Sequence, residues 1–414
     1  MKWEEILLKL IWFALTLCLF TANTLASESP SIIFEKFWQT AEQQVFPEIL
    51  VEQYFSDEEY QRLRKSVSSV TNTAELTPLF NEFLKKLNVS HTQFYDDQTV
   101  DYYLFRSMFG TKDIANPKVN HIGAQYVYID GNYIIREILD EYPAAKAGLR
   151  RGDKIKNANS IPFHPFHAFN PSANNVKLGI ERNGVLFEVT ISAVRENPNE
   201  SFSKAIANST QIFDKKNYRL GYLRLWAGTH RNNIGLFRKM MTERLADTDG
   251  MILDLRGGFG GAWYDYLDSF FADRSDYFDY SVHSREGVSE FSADKKQNKD
   301  FYVKPMVVLI NQGTRSGKEA LAYQFKKSKR ATLVGETTQG AFSAGKGIFN
   351  KASQPYFLFL STAEFRLDGI RIEGVGINPD IRVEYKLSKS PDSDPQLKAA
   401  QEEVIRLLSL AKNS

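Results

Sequence analysis

Apolar residues recur at three- to four-residue spacing over 31–87: Phe34, Trp38, Ala41 and Val45, then Leu63, Val67 and Val70, then Leu79, Phe83, Leu84 and Leu87. This periodicity places them along one side of successive helices and predicts a small helical bundle. Over 119–194 the grammar changes to short strand-like runs at 124–129, 133–138, 176–180 and 186–191. From 198 onward strand and helix patterns alternate, with strand-like stretches at 220–225, 250–255, 306–310 and 331–334 and helical ones at 234–245 and 319–325. Strand, crossover helix and strand is the unit of a parallel sheet, so this part reads as an α/β core. Two further strands at 356–361 and 364–367 and a closing helix opened by Asp394 and Pro395 complete the pattern. The expected fold class is therefore multidomain α/β: a helical bundle over 27–118, a β-rich domain over 119–197 and a crossover core over 198–414.

The 414 residues suffice for two or three domains with their own cores, and 13% aromatic with 25% charged residues is an ordinary globular composition. Lysine and arginine exceed aspartate and glutamate by 52 to 50 with no basic block, which argues against nucleic acid as a partner. Residues 6–22 form an apolar segment followed by the small residues around Ala26, the pattern of a cleaved secretory signal over 1–26. On this reading the mature protein is exported, periplasmic or extracellular, and keeps no stable membrane span; a retained anchor is the alternative. The single cysteine, Cys18, lies within that segment, so neither a disulfide nor a thiol nucleophile is expected after cleavage. The six histidines are scattered and no metal or other cofactor is expected; His164 and His167 share a proline-bearing loop without a third ligand and read as surface residues. The sequence specifies no oligomeric state.

Candidate chemistry centres on 305–338. A buried-type run at 306–310 ends in the turn residues Asn311, Gln312 and Gly313, so Ser316 stands at a strand-to-helix corner. Two roles are open to it there. It can cap the helix, as serines before helices commonly do. Alternatively its hydroxyl can attack a carbonyl while the N–H of Gly317, at the positive end of the helix dipole, receives the oxyanion. Lys318, two positions on, should point elsewhere as a solvated charge. Four glycines, Gly257, Gly258, Gly260 and Gly261, follow the strand at 250–255. The loop lacks the lysine of a phosphate loop, which leaves a tight turn or, from Gly260 or Gly261, N–H donors beside Ser316. Phe259, Trp263, Tyr264 and Phe342 are either core residues or the walls of an apolar pocket. His91, delivered by the end of the helical segment to a loop or strand start, is a lone histidine of the kind that is usually structural or solvated, while Glu373, set between a strand and a Gly/Pro-rich turn, is in an unusual place for a surface carboxylate.

Residues 144–155, with Ala144, Ala147, Gly148, Leu149, Gly152 and Asp153, resemble the short helix and turn of a PDZ domain, which implies a module that accepts an extended peptide or one that only packs on its neighbour. Taken with Asp254-Leu255-Arg256 and its glycine loop, the Ser316 turn, Gly335-Glu336-Thr337-Thr338 and the 373–380 turn, the chain resembles the carboxyl-terminal processing (tail-specific) serine peptidases. Members with a Ser-Lys pair carry the lysine shortly after the Gly-Glu-x-Thr motif, but Ala341 follows Gly340 here and the nearest lysine is Lys346. The resemblance is instead to the tricorn-core and retinoid-binding-protein-like branch. It implies a serine endopeptidase acting on polypeptides without a cofactor. Ser316 would be the nucleophile, His91 its base, Glu373 the group that orients His91 directly or through Ser90, and Gly317 with Gly260 or Gly261 the oxyanion donors. The relatives that bind retinoids imply an alternative, a non-proteolytic binding or scaffolding protein on the same fold.

Overall fold

The computed structural model describes residues 28–109, 116–170, 174–230, 232–349, 355–387 and 393–413; the signal segment expected over 1–26 and Cys18 lie outside them. The N-terminal part is helical: α1 (Pro30–Gln44), α2 (Ile49–Tyr54), α3 (Asp57–Val67) and α4 (Thr73–Lys86). Side-chain caps start three of them, from Ser29, Ser56 and Asn72, each accepting an N–H of the first turn. Ile33, Phe34, Phe37, Trp38 and Ala41 of α1 meet Leu63, Leu76, Phe80 and Phe83 in a buried aromatic core. That core is completed from far down the chain, by Tyr356, Leu358 and Leu360.

After α4 come strand β1 (Gln93–Asp96) and helix α5 (Val100–Phe109). A second unit follows: β2 (Val119–His121), β3 (Ala124–Ile129), β4 (Asn132–Ile138), the short helix α6 (Pro143–Lys146), β5 (Lys154–Ala158), β6 (Ile161–Pro162), β7 (Val176–Arg182), β8 (Val185–Ile191) and β9 (Val194–Glu196). Its main sheet runs β3-β4-β5-β7-β8 in antiparallel pairing, with β3 at one edge, and encloses a separate core around Ile135, Leu149, Ile155, Leu178 and Ile180.

The remaining chain forms α7 (Pro198–Ser209), β10 (Gln211–Lys215), β11 (Tyr218–Arg224), α8 (Asn233–Lys239), β12 (Gly250–Asp254), α9 (Tyr264–Leu267), β13 (Tyr280–Ser284), β14 (Gly287–Phe291), β15 (Met306–Ile310), α10 (Gly317–Lys327), β16 (Thr332–Gly335), β17 (Ser343–Phe349), β18 (Tyr356–Leu367), β19 (Ile370–Arg371), β20 (Ile381–Arg382) and α11 (Pro395–Asn413). One sheet has the order β10-β11-β12-β15-β16-β20, parallel from β11 to β20. Its central strands are continuously apolar because both faces are covered. On β15, Met306, Val308 and Ile310 enter one core while Val307 and Leu309 enter the other beneath Val404 and Leu408 of α11. The two strand-like runs at 356–361 and 364–367 are a single strand, β18, which pairs with β1, β13, β17 and β19 in a second, antiparallel sheet. The helical stretch at 234–245 is α8 followed by a π-turn, Met240–Arg244. No helix among the described residues is long and apolar enough to cross a membrane.

Candidate active site

Strand β15 delivers Ser316 to the corner before α10, where its backbone takes φ +53° and ψ −134°. A positive φ is costly for a residue with a Cβ, and it persists only where neighbours hold it. Here the Ser316 N–H donates to the Ala341 carbonyl at 2.9 Å and to Glu319 Oε2 at 3.0 Å. Glu319 is fully buried and also accepts the N–H groups of Gly340 and Ala341 and the hydroxyl of Thr338, at 2.6–2.9 Å. Burial pushes its carboxyl up to about 7 despite those hydrogen bonds. Sequence reasoning passed over this glutamate, whose only visible role is as a helix former in the first turn.

The glycine loop after β12 lies against this corner. A Cβ on Gly260 would stand 2.6 Å from the Cβ of Ser316, and one on Gly317 would stand 2.0 Å from the Ala262 carbonyl oxygen, so only glycine fits at either place. The N–H of Ser316 is occupied, whereas those of Gly260, Gly261 and Gly317 have no acceptor among the described residues. Gly258 answers to the β-rich unit, since Gln125 of β3 accepts its N–H at 2.8 Å and donates to its carbonyl at 3.2 Å, whereas the Gly257 N–H donates to Asn311.

Lys318 corrects an expectation. It does turn away from Ser316, but into the protein: it is fully buried, and its ammonium donates to the carbonyls of Leu225 and Gly257. Burial holds its pKa well below the usual lysine range. The helix lies across a parallel sheet, so the side of α10 facing away from the corner is covered by β11 and the glycine loop rather than by water.

His91, Ser90 and Glu373 meet although 282 residues separate the first from the last. Glu373 is buried; its carboxylate accepts the Ser90 N–H and the Ser90 hydroxyl, both at 2.8 Å. The Ser90 oxygen in turn lies 2.8 Å from His91 Nδ1. A carboxylate only accepts, so the Ser90 proton goes to Glu373 and Nδ1–H donates to Ser90, which leaves Nε2 with a free lone pair. Burial, reinforced by the positive charge of Arg315, lowers the imidazole pKa to about 4 and keeps it neutral at neutral pH. Ser343 is the residue that pattern did not single out: its Oγ lies 2.9 Å from Ser90 Oγ and 3.4 Å from His91 Nδ1, and its N–H and that of Phe342 donate to Glu373. No periodicity or spacing marks it, and only the pairing of β17 with β18 brings it here.

Ser316 and His91 face the region around Ser343 from two sides and are not hydrogen-bonded to each other. Lys346, the possible substitute base, is exposed on β17 and within electrostatic reach of Glu286. Beside Ser316 and Gly317 opens a pocket of about 330 Å³ walled by Trp263, Tyr280, Phe342 and Phe365. The rings contact one another, Trp263 stacking on Phe342 at 6.4 Å and meeting Tyr280 edge-on at 5.3 Å, and no charged side chain lines the space. Tyr264 is instead a core residue, and Phe259 lies under the Arg315 guanidinium at 4.3 Å. His164 and His167 stack on each other, and no group of three or more metal-binding side chains occurs among the described residues.

Residues 219–383, which hold the glycine loop, the Ser316 corner and Glu373, match the model of Peptidase family S41. That stretch is therefore similar to the core of the S41 peptidases. Relatives extend the likeness beyond the matched residues: carboxy-terminal processing protease CtpA of Bacillus subtilis is 27% identical over 305 residues, covering 68% of this chain and 62% of the relative. Tricorn protease of Thermoplasma volcanium is 24% identical over 389 residues, covering 84% of this chain and 34% of the relative. The chain thus spans between a third and three-fifths of the length of these curated relatives. The fold is shared with the solved photosystem II D1 C-terminal processing protease (TM-score 0.53, 20% identity, 86% of this chain and 93% of that one) and with mature CPAF bound to lactacystin (TM-score 0.54, 12% identity, 92% and 98%).

Proposed function

We propose that this protein is a serine endopeptidase that cleaves polypeptides through Ser316, with His91 as base. The observation that carries this reading is the Glu373–Ser90–His91 chain, which leaves Nε2 of a neutral imidazole as a free acceptor, in a chain whose S41-like stretch supplies Ser316 and, with it, three N–H groups without an acceptor. Nε2 takes the proton of the Ser316 hydroxyl as Oγ attacks the peptide carbonyl carbon; the carbonyl oxygen becomes an oxyanion received by Gly317 and by Gly260 or Gly261. The imidazolium then protonates the departing amine, and a water molecule repeats the sequence to release the acyl group from Oγ. Glu373, acting through Ser90, stabilises the imidazolium between these steps. The hydrogen bond between Ser316 and His91 forms when substrate fills the cleft, as catalytic hydrogen bonds that are long or unmade in the free enzyme do on binding.

In this reading the units 27–118, 119–197 and 198–414 supply the base, peptide engagement and the nucleophile respectively, and the protein works after export, in a periplasmic or extracellular space. The β-rich unit, resembling a PDZ domain, engages substrate and fixes Gly258 through Gln125. A serine-directed fluorophosphonate tests the assignment. The protein is expected to label, and Ser316→Ala and His91→Ala to abolish labelling along with cleavage of an unfolded polypeptide. Labelling that survives Ser316→Ala would remove the nucleophile, and a folded protein that never labels would favour a binding protein.

A further inference from the structure

Residues 341–343 join the two halves of the site. The Ala341 carbonyl accepts the Ser316 N–H at 2.9 Å, while the N–H groups of Phe342 and Ser343 both donate to Glu373 Oε2, at 2.6 and 2.9 Å. The side chains divide between the same two partners. The Phe342 ring walls the pocket beside Ser316, with Trp263 at 6.4 Å and Phe365 at 6.0 Å between ring centroids. Ser343 borders that pocket too, and its buried hydroxyl reaches the histidine: Oγ lies 2.9 Å from the Ser90 carbonyl oxygen, 2.9 Å from Ser90 Oγ and 3.4 Å from His91 Nδ1. Counting protons fixes the direction of these bonds. The Ser90 proton goes to Glu373 and a carbonyl only accepts, so Ser343 donates to the Ser90 carbonyl and turns its lone pairs to Nδ1–H, which it shares with Ser90 Oγ at 2.8 Å. His91 itself holds φ at +55°, a strained value for a residue with a Cβ, and β17 backs it closely: a Cβ on Gly345 would stand 3.0 Å from the Cβ of His91.

We propose that Ser343 is a positioning residue of the peptidase reaction, which couples filling of the aromatic pocket to the alignment of His91 on Ser316. This role rests on the peptidase reading and adds to it a residue through which turnover depends on the substrate's side chain. A side chain that enters the pocket packs on Phe342, one peptide bond from Ser343. Any shift of Phe342 carries with it both N–H donors on Glu373 and the hydroxyl beside Nδ1, because all of them belong to two adjacent residues. An imidazole whose Nδ1–H faces two acceptors at 2.8 and 3.4 Å can turn between them, and the turn re-aims Nε2. Binding energy from the pocket that goes into this alignment raises kcat instead of lowering KM. A small side chain leaves Phe342 in place and gains nothing. A serine that only packed the start of β17 would affect all substrates alike.

The test compares two peptides that differ only at the residue whose carbonyl is attacked, phenylalanine against alanine, in steady-state kinetics of the full-length wild type and of Ser343→Ala. Wild-type kcat is expected to be about tenfold or more higher for the phenylalanine peptide, with KM values within about threefold of each other. In Ser343→Ala the kcat contrast should fall to within about twofold, through loss on the phenylalanine peptide, and Ser343→Thr, which keeps the hydroxyl, should preserve it. A second measurement does not need Ser343→Ala to fold. In Ser316→Ala protein, where peptides survive, the ring N–H proton resonance of His91, identified by its loss on adding His91→Ala, should shift with the phenylalanine peptide and stay in place with the alanine peptide. An unchanged kcat contrast in folded Ser343→Ala, an equal loss on both peptides, or a resonance indifferent to the phenylalanine peptide would each overturn the role of Ser343 and leave the peptidase reading intact. A wild type that neither labels with the fluorophosphonate nor cleaves either peptide would instead overturn that reading, and this role with it.

Discussion

Glu319 Oε2 accepts the N–H of Ser316 at 3.0 Å, so the backbone of the proposed nucleophile is held by the side chain of the third residue of the helix that follows it. The same carboxylate gathers the N–H groups of Gly340 and Ala341, tying the corner to the segment that leads to Ser343. A positive φ at Ser316 is sustained by this arrangement rather than by local preference.

Replacing Glu319 by alanine strands three buried donors, the N–H groups of Gly340 and Ala341 and the hydroxyl of Thr338, and a loss of about 2–4 kcal/mol is expected in chemical denaturation, at the upper end for unsatisfied buried donors. The pH dependence has a defined sign. The folded-state pKa is raised from 4.5 to about 7, so the folded protein binds the proton more tightly and the group's stabilising effect is complete below about 4.5 and lost as pH rises to 7. The melting temperature of the wild type relative to Glu319→Gln should therefore fall across that interval; a rising difference would contradict the buried-carboxyl account.

The relay through Ser90 predicts non-additivity. Ser90→Ala and Glu373→Gln should each lower kcat by roughly 10–10³-fold with KM changed much less, as loss of the group that orients a catalytic histidine does. The double variant should be no worse than the poorer single variant, because each breaks the same chain. Multiplicative losses in steady-state kinetics would mean that Glu373 and Ser90 act separately.

His91 titrates low because it is buried and near Arg315. The acid limb of kcat/KM is accordingly expected near pH 4 and not near 6.5, with full activity retained at pH 5.5. Arg315→Met removes a positive charge that opposes imidazole protonation and should move that limb upward. Activity that disappears below pH 6.5 in the wild type would show the imidazole to be solvated in the working enzyme.

The pocket of Trp263, Tyr280, Phe342 and Phe365 adjoins Gly317 and Gly261, the proposed oxyanion donors beside Ser316. It should therefore take the side chain of the residue whose carbonyl is attacked, with phenylalanine or leucine favoured over alanine by about 10–100-fold in kcat/KM. Phe365→Ala should erode that ratio about tenfold while leaving cleavage after small residues intact. Peptide-library profiling by mass spectrometry measures both, and a preference for charged residues at that position would exclude the assignment.

Much of this site can be read along the chain, and the remainder shows what linear patterns omit. The apolar run 306–310 and the turn after it place Ser316 correctly because a strand buried on both faces has a recognisable composition. His91 carries no periodic signal; it stood out through Ser90 beside it and through family resemblance. Lys318 was misread because helical spacing tells which way a side chain points but not whether a sheet is waiting there. The runs 356–361 and 364–367 looked separate because Ser361 and Thr362 interrupt the apolar pattern, yet the Ser361 N–H is bonded to Thr92 Oγ1 and the strand passes through. Ser343 and Glu319 act through contacts that arise only when distant segments assemble, so no window of sequence contains them.

Strand β18 closes the aromatic core of the first helices, pairs with β1 just beyond His91, and leads within a few residues to Glu373. A growing chain that has already made Ser316 therefore still lacks the scaffold that aims its base. On the proposed mechanism, the polypeptide acquires bond-breaking competence only after nearly all of it has emerged, and a prematurely terminated product ending before 356 is expected to be inert.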